Sequence, residues 1–304
     1  MMMAAYQLVL VKLPKWAFWC VLYILARPLF DYCEPHLFLP GLGPMNLYTL
    51  QRQSLFLFTG YTLVVVLGLH TTSVVSSRFL IGLGLINAVL VCFGQGLLGN
   101  PGQDGAFIAL TLPLMAREKF YGLMIPALIG IMLSKSATAF LATFVIGALY
   151  VHYMIFLPAI LGALCLWSFL PDFWADNGRL FYWQQALELS LSQMPVLGLG
   201  PGSYFVYGAA MNQRLGHTSV PVWTHNDFVE VTFGYGILGL CILLFLLVMA
   251  WRSARGSKEF TSLLGGFIVV MCFQMPLSQP FFWLFIIYFI GRVSEREDLC
   301  LQKP

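Results

Sequence analysis

Residues 228–250 read FVEVTFGYGILGLCILLFLLVMA, an apolar run of 23 residues in which Glu230 is the single charged residue. A helix needs about 20 mainly apolar residues to cross the hydrocarbon core of a bilayer. A membrane-spanning strand would instead alternate apolar and polar residues over about ten positions, and this run is continuous. It therefore predicts a membrane-spanning helix.

The composition of the whole chain agrees with this segment. Of its 304 residues, 59% are apolar and only 10% are charged, against about 25% charged residues in an average soluble domain. So few charges cannot cover the surface of a soluble 34.1 kDa fold, and a mean hydropathy of +0.81 is too high for a disordered chain. The composition excludes an ordinary soluble enzyme and predicts a polytopic membrane protein.

Nine further apolar runs accompany 228–250, and together they predict an all-α membrane helical bundle of about ten spans. They cover residues 16–30, 54–69, 79–98, 105–116, 120–133, 137–151, 153–170, 261–275 and 280–291. Residues 1–170 then hold spans one to seven, and residues 227–304 hold spans eight to ten and a tail. Between them lies one long hydrophilic loop, 171–226, which we expect to be functional and to contain helical segments.

The distribution of lysine and arginine orients these spans. With a cytoplasmic N-terminus, eleven of the 16 basic residues fall on the cytoplasmic side, which the positive-inside rule favours. Both termini are then cytoplasmic, and the long loop lies on the outer side with the connections at 99–104 and 134–136. Lys12 and Lys15 precede the first run without a clear cleavage site, so we expect an uncleaved first span. No basic cluster points to nucleic acid.

The long loop contains a predicted helix, Arg179–Gln193, which follows the start signal Asp-Asn-Gly at 176–178 and ends before Pro195. Its apolar stripe predicts a helix on the membrane surface and consists of Leu180, Trp183, Leu187 and Leu191. Arg179 lies in the first turn, where a cation opposes the helix dipole. A bound phosphate explains this placement, because a guanidinium and free N–H groups then converge on one anion. The alternatives are a lipid headgroup or an ion pair with Asp172 or Asp176.

Two later features of the loop carry candidate chemistry. The sequence Gly-Leu-Gly-Pro-Gly at 198–202 predicts a tight turn whose exposed amides can approach a ligand, or simply a turn. His225 stands where the loop joins span eight, and Asn226 or Asp227 caps that helix. Its imidazole can take a proton from a hydroxyl near neutral pH, or it is only hydrogen-bonded at the interface. Asp227 and Glu230 either orient the imidazole or serve as a cap and a polar first-turn residue.

These residues resemble the pattern of a known family. His225 and Asn226, followed after nine residues by Gly-Ile-Leu-Gly at 236–239, resemble the H-N-x9-G-x-x-G signature of the O-antigen ligase family. That family includes O-antigen and exopolysaccharide polymerases and bacterial protein O-oligosaccharyltransferases. Arg179, Trp183 and the segment 195–202 look like the part that these proteins place before the histidine. The segments Gly-Asn-Pro-Gly-Gln at 99–103 and Leu-Pro-Leu at 112–114 are similar to earlier family elements, so the resemblance covers residues 90–250.

The resemblance implies a membrane glycosyltransferase of the bacterial inner membrane, acting in lipopolysaccharide or other polysaccharide biosynthesis. Its donor would be a glycan on undecaprenyl diphosphate, and its acceptor a hydroxyl of a growing glycan, of lipid A core or of a protein, with inversion at the anomeric carbon. By motif, His225 would be catalytic and Arg179 would bind the diphosphate. Further residues expected to bind diphosphate or glycan are Lys135, Gly200, Gly202, Asn226 and Trp183. Arg214 is a second candidate for the leaving group that no motif supports.

Lys135 departs from the family pattern. The family often has a Ser-Arg pair at this place, and here the sequence is Ser-Lys-Ser at 134–136. A lysine supplies a point charge without the bidentate fork of arginine. Some exopolysaccharide polymerases look similar here, which favours a polymerase over a ligase. The alternative is that Lys135 only extends to the membrane interface.

Metal-dependent transfer and transport are the two alternatives to this interpretation. The long loop has no D-x-D motif, and the seven cysteines show no C-x-x-C spacing. We therefore expect cationic side chains rather than a metal or other cofactor to stabilise the leaving group. Transfer that is lost in EDTA and restored by one divalent ion would refute this. A transporter of lipid-linked glycan is the rival class. Transporters tend to place ionisable groups at the membrane midplane and to contain repeats, whereas here the charges lie mostly at span ends and no repeat is found.

Overall fold

The structure is a computed structural model that describes residues 15–33, 44–70, 75–151, 179–204, 206 and 224–301. Within these residues the chain forms ten α-helices and one short 3-10 turn, Pro276–Ser278, and no β-strand. The helices are α1 (Lys15–Cys33), α2 (Pro44–His70), α3 (Ser77–Cys92), α4 (Pro101–Arg117), α5 (Tyr121–Leu133), α6 (Ala137–Val151), α7 (Arg179–Gln193), α8 (Asp227–Ala254), α9 (Lys258–Phe273) and α10 (Pro280–Leu301). The prediction of an all-α fold is confirmed for the described residues.

Two of the described helices are long and apolar enough to cross a membrane, over Tyr48–Leu67 in α2 and Asp227–Ala254 in α8. Shorter apolar helices accompany them at Trp19–Phe30, Ser77–Cys92, Tyr121–Leu133, Ala137–Tyr150 and Pro280–Arg292. The span predicted at 153–170 lies outside the described residues. The bundle of about ten spans therefore stays a prediction, as do the boundaries 1–170, 171–226 and 227–304.

The described residues form two compact units. The first contains those of 1–72, 178–247 and 294–304, and the second contains those of 73–177 and 248–293. The first unit thus holds α1, α2, α7 and most of α8, and the second is built from α3 to α6, α9 and the first part of α10. Helix α8 belongs to both units, and most of its residues lie in the first.

The second unit is built around α4, whose residues 103–116 are all buried. Helices α3, α5, α6 and α9 pack against it. Glycines allow this close approach: a Cβ on Gly105 would lie 2.3 Å from the hydroxyl oxygen of Ser134, and a Cβ on Gly130 would lie 2.7 Å from the methyl carbon of Ala88. Small residues at such positions are typical of helix packing in membranes.

The run 79–98 is predicted as one span, but α3 ends at Cys92. Gly94 and Gly99 adopt φ values of 73° and 67°, which an α-helix cannot contain. The chain between them folds back, so that the amides of Leu97 and Leu98 donate to the side chains of Asn87 and Asp104 at 2.8 and 2.9 Å. The predicted span is therefore shorter and is followed by a structured turn that leads into α4.

In the first unit, four segments meet in one buried cluster. It consists of Leu50 from α2, Ala186 from α7, Leu199, Tyr204 and Val206 from the loop after α7, and Val229 and Phe233 from α8. Tyr204 and Phe233 pack edge to face with their ring centroids 5.4 Å apart. Helix α1 packs against α2. The cluster fixes α7 and the following loop against the start of α8, next to His225, the residue that is expected to be catalytic.

Candidate functional site

A break in α8 receives the loop that follows α7. Gly236 has φ 69° and ψ −169°, a backbone conformation that is essentially reserved for glycine. The amides of Ile237 and Leu238, which follow the break, donate to the carbonyl oxygens of Pro195 and Val196 at 2.9 and 3.2 Å. Since buried backbone groups without partners are costly, the loop stabilises the broken helix and the two form one element.

The glycine turn at 198–202 pairs with the other side of the break. The amides of Leu199 and Gly200 donate to the carbonyl oxygens of Phe233 and Gly234 at 2.8 and 3.0 Å. The prediction that this turn exposes its amides to a ligand is therefore wrong for Gly200, whose N–H is used within the protein. Gly200 as a ligand-binding residue stays a prediction.

The end of the same turn packs against α2. Gly202 has φ 78°, and a Cβ there would lie 2.8 Å from the Cβ of Gln53. The hydroxyl of Ser54 donates to the carbonyl oxygen of Pro201 at 3.4 Å. Gly202 thus allows the turn to approach α2 closely, and a ligand contact for it is a prediction that stays untested.

Helix α7 has the predicted bounds, Arg179–Gln193, but a partly different contact face. Its fully buried positions are Tyr182, Ala186 and Ser190. Trp183 and Leu187 from the predicted stripe pack beside the buried cluster, whereas Leu191 is 44% exposed. The buried face is therefore rotated relative to the predicted stripe. The side chain of Leu180 lies outside the described part of the chain, and the membrane-surface position of α7 stays a prediction.

Trp183 holds the chain immediately before His225. Its indole Nε1 donates to the carbonyl oxygen of Thr224 at 2.5 Å, across 41 residues of sequence. The indole is partly buried against the cluster described above. Helix α7 thereby sets the position at which the long loop enters α8.

We expect Trp183→Phe to lower the free energy of unfolding by about 1–3 kcal/mol, because the buried carbonyl of Thr224 loses its donor while the aromatic bulk is kept. Thermal unfolding of the purified protein in detergent measures this change. The matched control is Tyr48→Phe, which removes a polar atom from an aromatic side chain that is 66% exposed and is expected to change stability by less than about 0.5 kcal/mol. Equal effects of the two substitutions would contradict the prediction.

His225 occupies a left-handed backbone conformation, with φ 53°, which L residues with a Cβ adopt at a cost. Asn226 caps the helix that follows: its Oδ1 accepts from the amides of Phe228 and Val229 at 2.9 and 3.1 Å, so the predicted cap is confirmed. The amide of Asn226 donates in turn to the hydroxyl oxygen of Thr224 at 3.2 Å. Strained residues persist where their surroundings over-determine them, and His225 lies between two such anchored neighbours.

Acidic and phenolic side chains gather at the start of α8. Asp227 is buried, and Glu230 accepts a hydrogen bond from the backbone of Thr224, whose hydroxyl lies close to the same carboxylate. Tyr61 of α2 lies near enough to both carboxylates to interact with their charge. Burial, together with the charge of Glu230, holds the pKa of the Tyr204 phenol well above its ordinary value. Tyr204 therefore stays neutral beside the carboxylate.

Arg27 is a residue of this region that the sequence prediction missed. It lies inside the apolar run 16–30, is only 6% exposed, and its Nη2 donates to the carbonyl oxygen of Gly198 at 3.0 Å. One turn earlier, the hydroxyl of Tyr23 donates to the carbonyl oxygen of Tyr235 at 2.9 Å. Helix α1 therefore holds both the glycine turn and the break in α8. An arginine inside an apolar run is itself a signal of function.

The remaining predicted site residues lie elsewhere. Arg179 is the first residue of α7, but its side chain lies outside the described part of the chain, as does the whole of Arg214. Lys135 belongs to the second unit, where it is exposed in the turn between α5 and α6 with φ 50°. The binding roles of these three residues stay predictions. Within the described residues, no three or more His, Cys, Asp or Glu side chains are grouped so that they could hold a metal ion.

Comparison with known proteins finds a relative that is named for exopolysaccharide production. No family model matches it. It is 30% identical over 183 residues to the exopolysaccharide production protein ExoQ of Rhizobium meliloti (strain 1021). The similar region covers 54% of this chain and 40% of the relative, so the chain spans about two-fifths of the length of that protein. The similarity agrees with the class of function that the sequence motifs imply.

Proposed function

We propose that this chain is a membrane glycosyltransferase of polysaccharide production. It acts in the bacterial inner membrane as a multi-pass protein with cytoplasmic termini, and residues 171–226 form its periplasmic part. The observation that carries the proposal is His225, held in a strained conformation at the start of a helix that is long and apolar enough to cross a membrane. The similarity to an exopolysaccharide production protein supports the class of substrate.

The proposed reaction moves a glycan from undecaprenyl diphosphate to an acceptor hydroxyl. The hydroxyl oxygen attacks the anomeric carbon, and the bond from that carbon to the diphosphate oxygen breaks with inversion. The hydroxyl proton passes to the imidazole of His225 and from there to water, a role that suits a group titrating near neutral pH. The lipid diphosphate leaves with the bonding electron pair and carries the developing negative charge.

We assign the stabilisation of that charge to Arg179. As the first residue of α7 it stands at a helix N-terminus, where the first amides have no partner within the helix and also favour an anion. Lys135 and Arg214 are further candidates for the same charge. Trp183, Asn226, Gly200 and Gly202 act in this scheme mainly by holding His225 and the glycine turn in place, because their described contacts lie within the protein.

We expect Arg179→Ala to reduce glycan transfer by about 100-fold or more, since removing one donor to a developing oxyanion typically costs about 10²–10³ in rate. Arg179→Lys should retain part of the activity, because lysine keeps the charge and loses the bidentate fork. The matched control is Arg255→Ala, at an exposed arginine in the turn between α8 and α9. The assay is transfer of labelled glycan by equal amounts of folded protein. Transfer by Arg179→Ala at the wild-type rate would exclude the assignment.

The acceptor separates three versions of the proposal. A polymerase extends a growing glycan, a ligase attaches a glycan to lipid A core, and a protein O-oligosaccharyltransferase attaches it to a protein. The sequence Ser-Lys-Ser at 134–136 favours the polymerase. Deleting the protein from its host distinguishes them: loss of long chains on an intact core indicates a polymerase, accumulation of free lipid-linked polymer indicates a ligase, and loss of a glycoprotein indicates the third.

A transporter of lipid-linked glycan is the second candidate, and the break of α8 at Gly236 favours it, because broken helices form the substrate sites of many transporters. The experiment uses purified protein in vesicles that contain labelled lipid-linked glycan. Formation of a new covalent product supports the transferase, and movement across the bilayer without such a product supports the transporter.

Adding EDTA to the same vesicles tests the expectation of metal-independent transfer. We expect transfer to continue, and a loss of activity that one divalent ion restores would overturn the expectation.

A further inference from the structure

We propose that Glu230 is a positioning residue that fixes His225 through Thr224. The inference rests on the proposed function, since it assigns Glu230 a part in the same transfer step. Glu230 belongs to α8 and follows His225 by five positions in the sequence. It does not act on the substrate in this scheme.

The conformation of His225 needs support from outside. With φ 53° the histidine is held in a region that costs free energy for any residue with a Cβ. Its C-terminal neighbour, Asn226, is fixed as the cap of α8. The conformation therefore depends on what fixes its N-terminal neighbour, Thr224.

The polar groups of Thr224 are bound by groups on two helices. Its carbonyl oxygen accepts from the indole of Trp183 on α7 at 2.5 Å. Its backbone also hydrogen-bonds to the carboxylate of Glu230 on α8. Its hydroxyl lies near that carboxylate and donates to the carbonyl oxygen of Asn226 at 2.9 Å. Thr224 itself is only 2% exposed. Glu230 thus anchors the residue next to the proposed base, in addition to the Trp183 contact.

The surroundings of Glu230 make its carboxylate less favourable for the stability of the fold than an apolar side chain of similar size. Its Oε2 is buried and has no hydrogen-bond partner among the described residues. The charge of the carboxylate acts on the phenol of Tyr204, and Asp227 precedes Glu230 by three positions on α8, which is about one helical turn. A buried, incompletely paired carboxylate beside a second acid is unfavourable, and an apolar side chain of similar size avoids that penalty. The feature that an apolar residue cannot replace is the oxygen that accepts the hydrogen bond from the backbone of Thr224.

The test compares two substitutions. Glu230→Gln keeps an oxygen that accepts from the backbone of Thr224, and we expect transfer to stay within about fivefold of wild type. Glu230→Met keeps the length without the acceptor and should lower kcat by about 10- to 100-fold, the range expected when a reacting group is misplaced by about 1 Å. The KM for the donor should change less than about threefold, since donor binding is assigned to other residues. Glu188→Met, at an exposed glutamate of α7, is the matched control and should leave transfer unchanged.

The probe is labelled undecaprenyl diphosphate-linked glycan from the host membranes, with protein quantities normalised to the folded fraction. A purely structural role predicts that Glu230→Met lowers the folded fraction and leaves kcat per folded molecule unchanged, and that result would overturn the inference. Loss of kcat in Glu230→Gln equal to that in Glu230→Met would overturn it too, because the acceptor oxygen would then be irrelevant.

Failure of this inference is distinguishable from failure of the proposed function. If His225→Ala abolishes transfer and Glu230→Met leaves it intact, only the positioning role is wrong. If His225→Ala also leaves transfer intact, the proposed function is wrong as well. Reduced kcat in Glu230→Met with partial rescue by Glu230→Gln supports both.

Discussion

Replacing His225 with glycine is expected to abolish glycan transfer and to give a more stable protein than replacement with alanine. The imidazole is the proposed base, and a positioned acid or base typically contributes about 10²–10⁴ in rate, so both variants should lose that factor. Glycine adopts the observed φ of 53° without strain, whereas alanine keeps a Cβ and its cost of about 1 kcal/mol. We therefore expect His225→Gly to exceed His225→Ala in free energy of unfolding by about 1 kcal/mol.

Two measurements check this prediction on the same samples. Thermal unfolding in detergent gives the stability difference, and transfer of labelled lipid-linked glycan gives the activity. Glu188→Gln serves as the control for a substitution at an exposed side chain and should match wild type in both. Wild-type transfer by either His225 variant would show that His225 is not the base. Equal stability of the two variants would show that His225 does not keep its left-handed conformation in solution.

The second large effect is expected at the break in α8. Gly236→Ala should lower the free energy of unfolding by about 3 kcal/mol or more, because its φ and ψ are essentially reserved for glycine and a Cβ would lie 2.2 Å from the carbonyl oxygen of Val196. The loop at 195–200 would have to separate from α8, leaving the backbone groups of both without partners. Unfolding temperature and the folded fraction after gel filtration in detergent measure this loss.

The matched control for Gly236 is Gly147→Ala in α6. Gly147 also lies inside an apolar helix, but no atom outside its own helix lies within 4 Å of the position where its Cβ would be. Alanine there is expected to stabilise the helix by about 0.4–1 kcal/mol. Similar changes in the free energy of unfolding for the two substitutions would contradict both the break in α8 at Gly236 and its packing against the loop at 195–200.

Local signals in the sequence were sufficient for the elements around the site. Helix α7 has its predicted bounds because Pro195 follows it closely and stops further helical hydrogen bonding. The cap of α8 was predictable because Asn226 bonds amides only two and three residues away. In both cases the residues that decide the structure are neighbours in the chain, so no knowledge of the tertiary fold was needed.

Long-range contacts explain what the sequence left undetermined. The run 228–250 gives no sign that α8 breaks at Gly236, because the groups that satisfy the broken helix come from the loop at 195–200. Arg27 was counted only as a basic residue, since its partner Gly198 lies 171 positions away. The orientation of the Trp183 side chain depends on the buried cluster and on the carbonyl of Thr224. The spacing of apolar residues in α7 shows neither of these contacts.

The central claim is that one cation and one imidazole act on the same lipid diphosphate-linked glycan. A structure of the protein in a lipid nanodisc with bound undecaprenyl diphosphate tests it most directly. We predict the guanidinium of Arg179 within about 2.7–2.9 Å of a phosphate oxygen and the imidazole of His225 within the length of one sugar ring from the same diphosphate. A diphosphate bound away from both, or the two side chains on opposite faces of the membrane, would contradict the account.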